Sequence, residues 1–550
     1  MRHLWPAVLF FAGFSLLAGA ETAFPPGSPV FDAAKPEARL LGVLPKTFRS
    51  SSAPVRGWFR THPLARYADY YALTLPDGTQ GFVTPDAQVR EGEPRWTRDA
   101  PFAGKLLIPA ALGVLFFCLY RLYRFPADRK KPGYYTAIVI SARVALLAYV
   151  VCMAGNIVCN PADEPGYFAV GYDVLHGKFA GPWTYPAGHG VLMMLPWIAL
   201  TGARDYFDLA VPLSWFSGFV LGPLALFLGF RILLALKIGL KTAFAGILAW
   251  ALLPFFVHHA PDWIRLDFTN FFGMPSFTMS FRYYMELIGS GFNGMSDMFA
   301  AVLVFACLFF ALQMPVRLRY LAAVSFLFGL ACLVRLNNIF YAPVLGFLLL
   351  ARFMPTFADY RAVVRFLLVG SAAYLAVVGI QFAVNHHQFG DCWTFPYSLH
   401  SPDRAPGDRP ADGFTLATLL KGTNLRYLLE SNRFVLSFAI AGLVLLPDRK
   451  LRAVLGLWSI PVILFFCGYS HTFCDAVRFI LPTYVPLLAA AACGFAARRR
   501  DKRWLVAGFA AAAGLILWHN GVAFAILLAV LLARSICDAA RYLTALRIQK

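Results

Sequence analysis

The stretch that decides the fold is YTAIVISARVALLAYVVCMA (135–154), followed after GNIVC by NPADEPGYFAVGYDVLHG (160–177). The first part is 20 residues long with Arg143 as its one charge, and a helix of about 20 apolar residues crosses a bilayer. The second part is polar and sets two adjacent acids, Asp163 and Glu164, at the edge of that apolar run. A carboxylate beside hydrocarbon is costly to desolvate, so it calls for a functional reason. The plain alternative is a pair of helix N-terminal charges ahead of Pro165 in a first turn. Further on, TYPAGHGVLMMLPWIALTG (184–202) leads the chain back into apolar sequence.

Composition extends this reading to the whole chain. Of 550 residues, 59% are hydrophobic and 16% aromatic, and only 14% are charged, against about 25% charged in soluble domains. The chain reads as an all-α polytopic membrane protein of about 12–14 transmembrane helices. The net charge is +20, from 49 basic and 29 acidic residues. The basic residues fall in short clusters between apolar segments, which is the positive-inside pattern and not a nucleic-acid-binding patch. Residues 1–20, MRHLWPAVLFFAGFSLLAGA, read as a signal peptide ending in A-x-A, with an uncleaved anchor as the alternative. Either places residue 21 outside the cytoplasm.

Ten cysteines are scattered without CxxC or Cys/His zinc spacing. Most sit in apolar runs as small packing residues. Cys159, Cys392 and Cys474 fall in segments assigned to the outside, where one disulfide among them can form.

Residues 21–100 are polar and rich in Pro, Gly and Ser, with short alternating runs around a Pro-Asp-Gly turn at 76–78, the pattern of a small extracytoplasmic β-domain. Residues 101–133 add a span and a cytoplasmic loop, 134–497 form the membrane core, and 498–550 form a hairpin with a cytoplasmic tail. Spans are expected near 104–120, 135–154, 190–202, 209–235, 242–257, 298–313, 320–334, 338–353, 364–384, 434–446, 453–468, 481–495, 504–518 and 521–533. Clusters such as Arg121/Arg124/Arg129/Lys130/Lys131, Arg317/Arg319, Arg449/Lys450/Arg452 and Arg498–Arg500 mark the cytoplasmic side. The long loops 155–189, 258–296, 385–433 and 469–480 then face the other way. Parity fails between 189 and Lys237, so either 190–202 or 209–235 falls short of crossing, or a third crossing is hidden there.

An outward-facing site has no nucleotide-activated donors, so group transfer there uses a lipid-carried donor. Asp163 or Glu164 can act as general base toward an acceptor hydroxyl, Asp163 being narrowly favoured, with Tyr167 and Tyr185 as neighbours. Arg335 and Arg478, at outer ends of spans, can hold a leaving phosphate. They can equally snorkel to the interface or pair with an acid. His258 and His259, beside Asp262, can donate to phosphate or bind metal, or serve as ordinary interfacial histidines. Asp297 is either a second site acid or, with Ser296, a plain helix N-cap.

Taken in order, these residues resemble the GT-C type polytopic glycosyltransferases, including protein mannosyltransferase and aminoarabinose transferase relatives. The resemblance covers roughly 134–497: Asp163-Glu164 with Tyr167, Tyr185-Pro186-Ala187-Gly188, Ser296-Asp297, the Arg335 span pair, Asn385…Phe389-Gly390 with Tyr397, and Arg478-Phe479 with Pro482 and Pro486. It implies an inverting enzyme that moves a sugar from a polyprenyl-phosphate donor to an extracytoplasmic acceptor, within the lipids of a cell (inner) membrane. Tyr397 joins the substrate-binding set on this resemblance. Two features depart from it: an N-terminal leader, β-domain and extra span precede the core, and Ala187 replaces the second proline of a Y-P-P run. The stretch 38–89 resembles a bacterial SH3-like barrel and implies a binding or spacer role. No cofactor is implied with certainty and a divalent metal stays open, since a single donor phosphate needs less charge neutralisation than a diphosphate. The rival functions are a transporter or lipid flippase of the envelope, which calls for mid-span charges and internal repeats, and a cell-wall-binding protein working through its β-domain.

Overall fold

The computed structural model describes residues 22–24, 29–31, 40–44, 48–50, 55–61, 64–75, 78–83, 102–154, 163–178, 183, 185–203, 206–256, 291–394, 435–468, 479–496 and 521–548. The expected leader, the span at 504–518, and His258, His259, Asp262, Tyr397, Arg478, Cys159 and Cys474 lie outside these residues. Two units divide the chain: 1–101 with 151–160, and 102–150 with 161–550.

The first unit is antiparallel β-structure. Strands β1 (Thr22–Phe24) and β4 (Phe48–Ser50) form a ribbon. A five-stranded sheet has the order β3-β2-β7-β6-β5, from Leu40–Val43, Pro29–Phe31, Gln80–Val83, Leu64–Thr74 and Val55–Thr61. Strands β6 and β7 are joined at the expected turn. The Gly78 N–H donates to Leu75 O at 2.9 Å, and Gly78 takes φ +84°, which a side chain would strain. Val30, Leu44, Leu73 and Val83 bury the apolar side of the sheet, as period-two alternation requires.

The described residues of the second unit are mainly helical. Its helices are α1 (Phe102–Arg124), α2 (Pro132–Ala154), α3 (Glu164–Leu175), α4 (Ala187–Thr201), α5 (207–235), α6 (Leu240–Phe256), α7 (Ser296–Gln313) and α8 (Leu318–Val334). A 3₁₀ segment (Leu336–Tyr341) precedes α9 (Ala342–Phe353), then come α10 (Tyr360–Phe389), α11 (Val435–Leu445), α12 (Arg449–Gly468), α13 (Tyr484–Phe495) and α14 (Gly521–Ile548). Among the described residues, eight helices are long and apolar enough to cross a membrane, and the chain is a multi-pass membrane protein. The expected spans coincide with these helices to within a few residues, with three informative differences. Helix α4 falls among the shorter apolar helices, and between 189 and 237 only α5 has full spanning length. Helix α10 runs on through Asn385 to Phe389 and stops where Gly390 takes φ +72°. Helix α14 continues to Ile548, where a tail was expected from 534, because Asp538 is buried against Arg452 of α12 at 2.5 Å.

The core centres on α7, which packs against α5, α8 and α9. Phe305 of α7 meets Trp250 of α6 and Trp458 of α12 edge-to-face, with centroids 5.6 and 5.9 Å apart, the geometry the ring quadrupole prefers. Arg143, the charge inside α2, is buried and donates to the carbonyl of Ala251 in the last turns of α6 at 2.7 Å. That carbonyl lies toward the negative end of the α6 dipole, which suits a cation.

Helix α1 exposes Phe116, Phe117 and Tyr123, as a lipid-facing span should, and ends in a polar turn at 126–131. There Asp128 is clamped by Lys131 at 2.7 Å and Arg121 at 2.8 Å. The Lys131 hydrogen bond holds the Asp128 carboxyl below the ordinary carboxylate range. Burial opposes that shift and Arg121 adds to it.

Candidate functional site

Helix α3 begins at the acid pair. Asp163 is its N-cap residue, Glu164 its first residue, and Pro165 lies in its first turn, so the expected N-terminal placement holds. The Asp163 carboxylate does not cap the helix. It accepts instead from the hydroxyl of Tyr185 at 2.9 Å. Glu164 is fully buried and its Oε2 accepts from the Asp163 backbone N–H at 3.2 Å. Asp163 itself is half-buried, so the two acids have different access to solvent.

Glycines bring the next elements in. A Cβ on Gly171 of α3 would lie 2.7 Å from Gly190 O, and one on Gly190 of α4 would lie 2.8 Å from Tyr167 O. Only bare backbone allows α3 and α4 to cross this closely. A Cβ on Gly188 would collide with the backbone of Leu333 and Val334, so α4 also abuts the end of α8 immediately before Arg335. Residues Gly190–Met194 form a π-turn, a local insertion that recurs at functional sites.

The Y-P-P departure has a local compensation. Ala187 retains the N–H that proline would lack and donates it to Gln381 Oε1 of α10 at 2.9 Å. Gln381 Nε2 in turn donates to Asn385 Oδ1 at 2.7 Å, and Asn385 Nδ2 to Cys392 O at 3.1 Å. Asn385 is fully buried within this lattice, holding the 185–187 turn and the end of α10 together. Cys392 itself is a free thiol.

The start of α7 closes the group. Ser296 Oγ and Tyr167 OH are hydrogen-bonded at 3.0 Å, and Asp297 pairs with Arg335. The N-cap expected at Ser296 or Asp297 is a correction: Met295 is the N-cap residue, without a side-chain cap, because both polar side chains are engaged across the site. Arg335 sits in extended backbone between α8 and the 3₁₀ segment. Its Nε donates to Asn337 Oδ1 at 3.3 Å and its guanidinium lies 4.9 Å over the Phe479 ring. The Arg335 side chain keeps 11% exposure.

The result is a continuous path: Asp163 to Tyr185, Tyr185 tilted against Tyr167 with centroids 4.5 Å apart, Tyr167 to Ser296, and neighbouring Asp297 to Arg335. Of the expected site residues, Asp163, Glu164, Tyr167, Tyr185, Asp297 and Arg335 are brought together. His258, His259, Tyr397 and Arg478 fall outside the described residues, although Phe479, next to Arg478, reaches Arg335.

Sequence reasoning missed His189, Asn293 and Gln381. His189 is buried, lies 4.7 Å edge-on to Tyr167, and bonds Gly294 O through Nε2 at 2.9 Å. A polar ring between two glycines at the mouth of an apolar run was the available signal. Among the described residues no group of three or more His, Cys, Asp or Glu is placed to hold a metal ion. No family model, curated protein or solved structure significantly matches this chain.

Proposed function

We propose that this chain is an integral membrane glycosyltransferase that moves a sugar from a polyprenyl-phosphate donor to a hydroxyl acceptor outside the cytoplasm. The observation that carries the reading is the path linking a half-buried carboxylate to a partly exposed cation. Asp163 takes the proton of the acceptor hydroxyl as the acceptor oxygen attacks the anomeric carbon. The bond from that carbon to the phosphate oxygen breaks, the configuration inverts, and polyprenyl phosphate leaves. Arg335, oriented by Asp297 and Phe479, presents Nη2 to the charge that builds on the leaving phosphate. Tyr185 aims the Asp163 carboxylate. Glu164, buried, fixes the backbone from which Asp163 projects, and this supports Asp163 as the base. The β-sheet unit is assigned a binding or spacer role of the SH3-like kind. A flippase or transporter finds less support, because among the described residues the buried helix charges Arg143, Arg452 and Asp538 are tied to protein atoms.

The test is transfer by Asp163→Asn and Glu164→Gln chains that still insert and fold. At least one should lose transfer by about 10²–10⁴-fold, the usual worth of a general base. Undiminished transfer by the double variant, or lipid movement in vesicles containing no acceptor, would sink the proposal.

A further inference from the structure

The turn that joins α1 to α2 concentrates charge that the proposed chemistry does not use. Residues 121–131, RLYRFPADRKK, hold five basic residues and one acid, a net charge of +4. A positive bias beside a span needs no fixed fold, yet these cations are folded. The 3₁₀ segment Pro126–Lys130 turns back on the end of α1, where Arg129 donates through Nε to Leu122 O at 2.8 Å and through Nη2 to Tyr123 O at 3.1 Å. Carbonyls in this last turn lack helical partners and form the negative end of the helix dipole. The Tyr135 hydroxyl of α2 donates to Arg129 O at 3.1 Å and ties the turn to the next span.

The lone acid points inward. Asp128 is 2% exposed and held between Arg121 and Lys131, so its charge is matched inside the turn. What reaches the surface is cationic. Arg124, Arg129, Lys130 and Lys131 are exposed, and the side chains of Arg124 and Lys130 make no ion pair or hydrogen bond among the described residues. Beside them the chain exposes Tyr120, Tyr123 and Phe125, and such amphipathic rings sit at headgroup level. Farther into the span, Phe116 and Phe117 are exposed as well.

We infer that the 121–131 turn is a headgroup site for an anionic phospholipid. Its phosphodiester accepts from Arg124 and Lys130, and its acyl chains run along α1 past Tyr120 toward Phe116 and Phe117. The charge selects an anionic lipid, because a zwitterionic one brings an ammonium to the same cations. The aromatic and apolar flank selects a lipid over a soluble anion. The folded turn holds its cations in place before the lipid arrives, so little ordering entropy is lost on binding.

The experiment is native mass spectrometry of the full chain in neutral detergent, titrated with phosphatidylglycerol or with phosphatidylcholine of equal acyl length. Wild type should bind phosphatidylglycerol more tightly. Arg124→Gln with Lys130→Gln should cut that affinity about ten- to thirtyfold, at about fivefold per cation, and leave phosphatidylcholine unchanged. Both side chains are exposed, so this variant should melt with wild type. Arg361→Gln with Arg365→Gln removes the same charge from exposed positions at the start of α10. That helix packs on α8, whereas the turn adjoins α2 and α6, whose Tyr135 and Phe244 rings meet edge-to-face, so this control should keep wild-type affinity. Equal affinity for the two lipids, no loss in the turn variant, or an equal loss in both variants would overturn the inference. Full displacement of the lipid by soluble glycerol phosphate, which carries the anion without the chains, would also overturn it.

Discussion

Breaking the Asp297–Arg335 pair should reveal how much of the fold depends on the site. The Asp297 side chain is 2% exposed and that of Arg335 is 11% exposed, so the pair belongs to the buried class. Removing one partner strands the other: Arg335→Met leaves a buried carboxylate and Asp297→Leu a nearly buried guanidinium, each costing about 3–5 kcal/mol. The double variant strands neither charge and replaces the pair with apolar volume, so it should return to within about 2 kcal/mol of wild type. The coupling between the two positions is then about 4 kcal/mol or more, far above the 0–1 kcal/mol of exposed pairs. Equilibrium unfolding in mixed micelles, followed by tryptophan fluorescence, measures all four chains. Transfer separates stability from chemistry, because the restored double variant lacks Nη2 and should remain inactive. Additive single losses would refute the pair as a buried unit, and an active double variant would refute Arg335 as the phosphate contact.

Three further outcomes follow from the geometry. Gly188→Ala should destabilise the chain by about 1–3 kcal/mol, because its methyl meets the Leu333 backbone. Gly379→Ala, with nothing within 4 Å, should not; equal melting of the two in detergent would contradict the close α4–α8 contact. Tyr185→Phe removes a hydrogen bond to a carboxylate, worth about 1.5–3 kcal/mol, and should lower transfer at least tenfold while the chain still folds, read by single-turnover kinetics. The depressed carboxyl of Asp128 gives stability that is present above the unfolded value near pH 4 and is lost as pH falls through the lower folded value. The melting difference between wild type and Asp128→Asn should therefore stay flat from about pH 8 to 5 and shrink below about pH 4; growth of that difference on acidification would contradict the clamp.

The membrane architecture was legible because crossing a bilayer imposes length and apolarity on consecutive residues, so α2, α7 and α12 stand out without any tertiary information. The acid pair stood out for the same reason, as charge beside hydrocarbon. Partners across the site did not. Tyr167 and Ser296 are 129 positions apart, and Ala187 and Gln381 are 194 apart, separations over which periodicity carries nothing. Asp297 read as either a cap or a site acid because its local pattern is that of a cap; its partner, Arg335, lies beyond the next helix. The reach of α14 past 533 was hidden by its basic residues, since only the fold shows Asp538 meeting Arg452.

The most direct test of the central claim is mass spectrometry of envelope glycolipids, polysaccharides and glycoproteins from cells lacking this chain, complemented with wild type or with Asp163→Asn. One sugar substituent should vanish in the deletion, return with wild type, and stay absent with Asp163→Asn although the variant inserts normally. Identical sugars in all the strains, or full restoration by Asp163→Asn, would contradict the account.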